Sequence, residues 1–204
     1  MPKSPRQKKT PRPPKATRPA EAAAESTPPP RPPWHRRPEV RFLAIFLVLL
    51  AAGFSLVAWN PVNDRVIEPF TAGIAVVSGA ALELIGQDVT MRGTVIRNPR
   101  FAVNIRNGCN GVEAMLIFLA AVLAFPASWK ARAIGLALGA VAIQAVNLVR
   151  VVALFLTGAY WPDVFDASHT VVWQSVVILA AVLLWILWAD RLAVPRRRAA
   201  ADAA

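Results

Sequence analysis

The chain has 204 residues, 55% of them apolar, and yet a formal charge of +11. Position reconciles the two figures: residues 1–41 hold 11 of the 23 Lys and Arg and 12 of the 18 prolines, while residues 42–189 hold the long apolar runs, which excludes a single soluble basic domain. One cysteine and two histidines leave no intramolecular disulfide and no Cys-cluster metal site, the missing Gly-rich phosphate loop argues against a nucleotide-driven enzyme, and no metal or cofactor is expected.

In chain order, residues 1–38 form a basic, proline-broken segment expected to be disordered and cytoplasmic. It has no interleaved aromatics, so no nucleic-acid partner is expected; positive charge ahead of an apolar run instead holds the N-terminus inside. Residues 42–189 are predicted to be an all-α integral membrane bundle embedded in the lipid bilayer. Its four predicted spans are Phe42–Trp59, Val112–Ala127, Ala133–Thr157 and Val171–Ala189. Val66–Gly86 contains Glu68, Pro69 and Glu83 and gathers its apolar side chains on one face, which predicts a re-entrant or interfacial helix. Between it and the second span, Phe101, Val103 and Ile105 alternate with Ala102, Asn104 and Arg106. With Val89–Ile96 as partner and Arg97–Arg100 as turn, they predict a small extracytoplasmic β-hairpin. Residues 190–204 make a second basic cytoplasmic tail. Four spans place 17 Lys and Arg inside and five outside, against 15 and seven for five spans, so the positive-inside rule favours four. Tryptophans 59, 129, 161, 173, 185 and 188 fall near the predicted membrane edges.

Three polar residues converge under this topology. Cys109 sits in Asn107-Gly108-Cys109-Asn110-Gly111 at the mouth of the second span. There the glycines permit a tight turn, Asn110 is the expected N-cap, and the helix dipole is expected to favour a thiolate. Arg150 lies about 26 Å along the third span, on a polar stripe with Asn147 and Gln144. An intramembrane arginine points to function unless it snorkels to the headgroups. His169 precedes the last span, and Asp163 or Asp166 is a candidate to orient it. All three lie at one face, supplying a nucleophile, an acid/base and a cation for a developing oxyanion. The residues alone leave open an inert apolar cysteine, a scaffold subunit with Arg150 paired to Glu113 or Glu83, and a small transporter lined by the stripe.

The Cys-x-Gly at a helix start (Cys109 to Gly111), the Asn-x-x-Arg of the next span (Asn147 to Arg150) and the His before the last span (His169) resemble the exosortase/archaeosortase family. The likeness covers roughly residues 40–190, and the short chain is similar to the compact exosortase H type. Many members carry Ser after the Cys, where Asn110 stands here. The resemblance implies a membrane cysteine protease/transpeptidase of the bacterial inner membrane, with both termini cytoplasmic and its site facing outward. Cys109, Arg150 and His169 would be catalytic, supported by Asn147, Asn110 and Gly111. Its partners would be membrane-anchored proteins with a C-terminal sorting signal, made of a short motif, a transmembrane helix and a basic cluster. Cleavage would leave a thioester on Cys109 for an unidentified amine acceptor or for water.

Overall fold

The computed structural model describes residues 37–193, so the predicted tails fall outside the described residues except at their inner ends. There the chain is already helical: α1 (Pro38–Ala58) begins with Pro38 and Glu39 in its first turn, and helix persists through Ala193. A proline in the first turn gives up no ladder bond, and an early acid complements the positive end of the dipole. At 21 residues, α1 is about 31 Å long. Leu43, Leu47, Val48 and Leu56 are exposed along it, and it has no buried residue. This is the surface of a helix facing lipid.

Trp59 breaks the helix in an extended conformation, and α2 (Asn60–Leu84) follows. It widens into a π turn at Asn63–Ile67, just ahead of Pro69, which has no N–H to give the ladder. Gly86, at φ 83°, ends it: Gln87 N–H donates to Leu82 O and Gly86 N–H to Glu83 O, a Schellman closure.

Three short antiparallel strands come next, in the order β1 (Thr90–Arg92), β2 (Val95–Arg97) and β3 (Ala102–Asn104). The expected two-stranded hairpin is corrected here. Arg97–Arg100 does turn the chain, but Val89–Ile96 is itself folded back at Gly93, whose φ of 57° permits a reversal inside that segment. Val89, Ile96 and Ile105 are buried against Ala75, Leu82, Val151 and Phe155, which docks the sheet on two helices.

The second predicted span is helical only as α3 (Val112–Ala124), whose 13 residues cover about 20 Å. It stops where Phe125 turns extended before Pro126. The remaining helices are α4 (Trp129–Tyr160) and α5 (Pro162–Ala193), each of 32 residues. Four helices are long and apolar enough to span a membrane: α1, α2, α4 and α5. The number four holds, but Asn60–Leu84 meets the length criterion and Val112–Ala127 does not.

Side-chain contacts give each helix a direction. Phe42 packs on Phe125 and Leu116 lies beneath Gly53, so α3 runs back along α1 through the same depth. Phe118 fits over Gly139 and Trp188 over Gly135, so α4 runs opposite to both α3 and α5. In contrast α2 runs with α4: Phe70 and Ile74 line one cavity with Val141 and Ala145, while Gln87 bonds Tyr160 at 3.2 Å. It starts where α1 ends and moves away from the Trp129 end. That is the course expected for a re-entrant or interfacial helix, not for a crossing back to the start of α1.

Phe118, Val122, Ile143, Val177, Ala181 and Trp188 form the core between α3, α4 and α5. Phe42, Phe125, Trp185 and Trp188 cluster at the Trp129 end with ring centroids 5.7–6.2 Å apart. Trp188 lies at that end and is buried, and its indole N–H donates to Ala131 O at 2.8 Å. The close approach needs small residues on α4. Gly139→Val should drive a branched side chain into the Phe118 ring and destabilise the bundle by about 1–3 kcal/mol. A lower unfolding temperature in detergent checks this; an unchanged one would contradict the packing.

Candidate active site

The loop leading into α3 is built from glycines and amides. Gly108 (φ 88°) and Gly111 (φ 76°) take left-handed conformations that side chains resist, and they turn the backbone on either side of Cys109. A Cβ on Gly111 would also come within 3.0 Å of both Asn147 Cγ and Gln144 Nε2. Asn110 is fully buried and bonded throughout. Its Nδ2 donates to Thr71 Oγ1 at 3.0 Å and to Asn107 Oδ1 at 3.1 Å, and its Oδ1 accepts from Val112 N–H at 3.1 Å. Gln144 Nε2 reaches its carbonyl at 3.2 Å, and Asn107 Nδ2 donates to Asn63 Oδ1 at 3.0 Å. Glu113 closes the turn by accepting Gly108 N–H at 2.7 Å. The N-cap is thus Gly111, one residue later than expected, because the Asn110 side chain both satisfies the first helical N–H and ties the loop to α2.

The three residues singled out in sequence come together. His169 Nε2 lies 2.7 Å from Cys109 Sγ, and Arg150 Nη2 lies 3.8 Å from the same sulfur. Arg150 is 2% exposed and its Nη2 also donates to Gln174 Oε1 at 3.2 Å. It points into the protein, so it does not snorkel, and among the described residues it has no carboxylate partner. Asn147, one turn earlier, is buried against Gly111, and neither amide atom finds a partner among the described residues. Such a group costs about 1–3 kcal/mol.

His169 is presented by a π turn, Ser168–Val172. The extra residue in that turn brings Gln174, five positions on, to the same side as His169. The ring is held by Phe165, which stacks on it at 1° with centroids 5.9 Å apart. Neither Asp163 nor Asp166 bonds it; Asp166 contributes only its backbone oxygen, to Thr170 Oγ1. Sequence reasoning missed Phe165 and Gln174 as site residues. Their signals were an aromatic four residues before the histidine and an amide within an otherwise apolar run.

Burial pushes the Cys109 thiol above its ordinary pKa; Arg150 opposes this and Glu113 adds to it. The expected dipole-stabilised thiolate is therefore corrected: loss of water around the sulfur outweighs the helix end. Loss of water around the sulfur thus favours the protonated thiol. The sulfur, His169, Phe165 and the strand segment 101–107 line a cavity of about 440 Å³.

The sign of each charge makes a test. Alkylation of Cys109 by iodoacetamide should accelerate as pH rises through the elevated thiol pKa. Glu113→Gln removes the charge that raises that pKa and should give faster alkylation at neutral pH, whereas Arg150→Gln should slow it. Rates against pH for the three proteins decide the matter; equal profiles would contradict these electrostatics.

Comparison with known proteins adds one match. The sequence model of the family described as transmembrane exosortase (Exosortase_EpsH) matches residues 38–189. No curated protein and no solved structure matches the chain. The matched stretch includes Cys109, Arg150 and His169 and makes up most of the sequence. The chain is a multi-pass membrane protein that belongs to the transmembrane exosortase family.

Proposed function

We propose that the protein is a cysteine-dependent membrane peptidase/transpeptidase acting on C-terminal sorting signals of secreted, membrane-anchored proteins. The observation that carries this reading is the contact of Cys109 Sγ with His169 Nε2 at 2.7 Å, beside a buried Arg150. A thiol held neutral by burial becomes a nucleophile only when a base takes its proton, and an imidazole within hydrogen-bond reach can do so.

The steps follow from these atoms. Sγ gives its proton to Nε2 and forms a bond to the scissile carbonyl carbon, and the carbonyl oxygen becomes an oxyanion. Arg150, already 3.8 Å from the sulfur, supplies positive charge for that oxygen. The imidazolium then protonates the departing amine as the C–N bond breaks, leaving a thioester on Cys109. An acceptor amine, or water, then gives its proton to His169 as its own bond to carbon forms; the C–S bond breaks to release the product, and the imidazolium returns its proton to Sγ. Gln174 and Phe165 hold the cation and the ring in place. A substrate whose signal includes a transmembrane helix is already confined to the bilayer that holds the enzyme, which raises its effective concentration at the thiol.

This reading puts the protein in a bacterial inner membrane with both termini in the cytoplasm and Cys109 at the outer face. The excess of Lys and Arg in the two terminal segments supports that orientation. An impermeant thiol reagent should therefore label Cys109 in spheroplasts but not in sealed inside-out vesicles. The reverse pattern would overturn the orientation.

Cys109→Ala should abolish processing of a reporter carrying the cognate signal while the protein still accumulates in the membrane. Arg150→Lys should lower kcat by about 100-fold, since a compact ammonium on a shorter side chain cannot take the place of Nη2, which faces both Sγ and Gln174. His169→Ala should be as damaging as losing the thiol. Normal processing by Cys109→Ala would sink the proposal.

A further inference from the structure

Resting on that proposed function, we infer that the substrate segment preceding the scissile bond binds as a fourth strand, running parallel to β3 along its free edge. The sheet order β1-β2-β3 leaves β3 paired on one side only. Its register shows which backbone groups are free. Asn98 N–H donates to Phe101 O and Ile105 N–H to Thr94 O, so Phe101, Val103 and Ile105 turn their backbone groups toward β2. By the alternation of an antiparallel ladder, Ala102 and Asn104 direct theirs outward. None of those four groups has a partner among the described residues.

That edge faces the candidate active site. The cavity holding Cys109 and His169 is lined by every residue from Phe101 to Asn107. A cavity over one face of a strand would meet alternate residues only, so contact with consecutive ones means that it runs along the edge. Phe165 and His169 on α5, with Val151 and Leu154 on α4, form the opposite wall. A groove with backbone donors and acceptors on one side, apolar side chains on the other and a thiol at its end fits an extended peptide. Ala102 and Asn104 are themselves exposed and ready to be paired.

Direction follows from α4. Phe101 packs over Gly158, whereas Cys109 lies at Arg150. Eight residues of helix separate those levels, about 12 Å, so β3 descends toward the thiol over the length of three or four extended residues. A substrate chain that enters from outside and continues into the bilayer through its C-terminal helix descends the same way. Residues before its scissile bond therefore run parallel to β3 and meet Cys109 at their C-terminal end. Recognition by main-chain bonds leaves the substrate side chains to set specificity against Phe165, Val151 and Leu154.

The probe is N-acetyl-trialanyl vinyl sulfone, which carries its electrophile at the C-terminal end, compared with methyl vinyl sulfone, which has no peptide. With the full chain in detergent, the tripeptide should alkylate Cys109 at least about tenfold faster than the small reagent. N-methylating the central alanine should remove most of that advantage in the unaltered protein, since it deletes a donor to the edge. Ala102→Pro, which removes an outward N–H and no ladder bond, should lower the ratio of the two rates by about tenfold. The ratio is measured on one sample, so loss of folded protein does not mimic the effect. A tripeptide with no advantage, or one whose advantage survives both N-methylation and Ala102→Pro, overturns strand addition and leaves the peptidase reading standing. Failure of Cys109 to react with either sulfone, together with normal reporter processing by Cys109→Ala, would instead overturn the peptidase reading itself.

Discussion

Arg150 is a guanidinium removed almost entirely from solvent in the body of a membrane protein, and much of the surrounding structure answers that constraint. A buried cation without a carboxylate is costly unless polar groups are brought to it. Here the groups come from two other elements: the thiol of Cys109 from the loop before α3, and the amide of Gln174 from α5. Bringing both to one point requires that the loop before α3 and the first part of α5 both pack against α4 at Arg150. The glycine-framed turn and the π turn at Ser168–Val172 are the local devices that allow it. The burial that makes Arg150 expensive also raises the thiol pKa, so the same dry environment demands a base beside the sulfur.

The polar loop around Cys109 is held by its side-chain amides, Asn107 and Asn110. Asn110 joins α2 through Thr71, the start of α3 through Val112, and α4 through Gln144. The long amide of Asn110 thus reaches partners on several elements at once. Its bonds bear on the geometry of the loop and leave the sulfur untouched. Asn147 stands apart: it packs on Gly111 with its amide unpaired, a cost that a simple packing residue would not incur.

α2 shows how a helix of the right length for a membrane can serve another end. Its apolar composition suffices for crossing, yet its contacts with Val141, Ala145 and Tyr160 keep it beside the Tyr160 half of α4. In that position it backs the sheet, through Ala75, Leu82 and the close approach of Met91 to Gly79. The sheet in turn sets β3 along the cavity that holds the thiol. An ordinary count of spans does not foresee this, since hydropathy reports length and apolarity but not the neighbour a helix selects.

Local composition and pattern by themselves determined the membrane body, the number of long apolar helices, the presence of strands near 101–105, and the candidacy of Cys109, Arg150 and His169. These are properties of segments: proline stops helices, long apolar runs make long helices, and a lone arginine in an apolar run is conspicuous at any position. Tertiary structure alone decided the rest. The N-cap moved to Gly111, the hairpin became three strands at Gly93, the thiol pKa rose instead of falling, and Phe165 and Gln174 took the places expected of an aspartate or of nothing. Each depends on what lies opposite in space: a partner for an amide, water excluded from a sulfur, or a π turn that shifts a helix face by one residue.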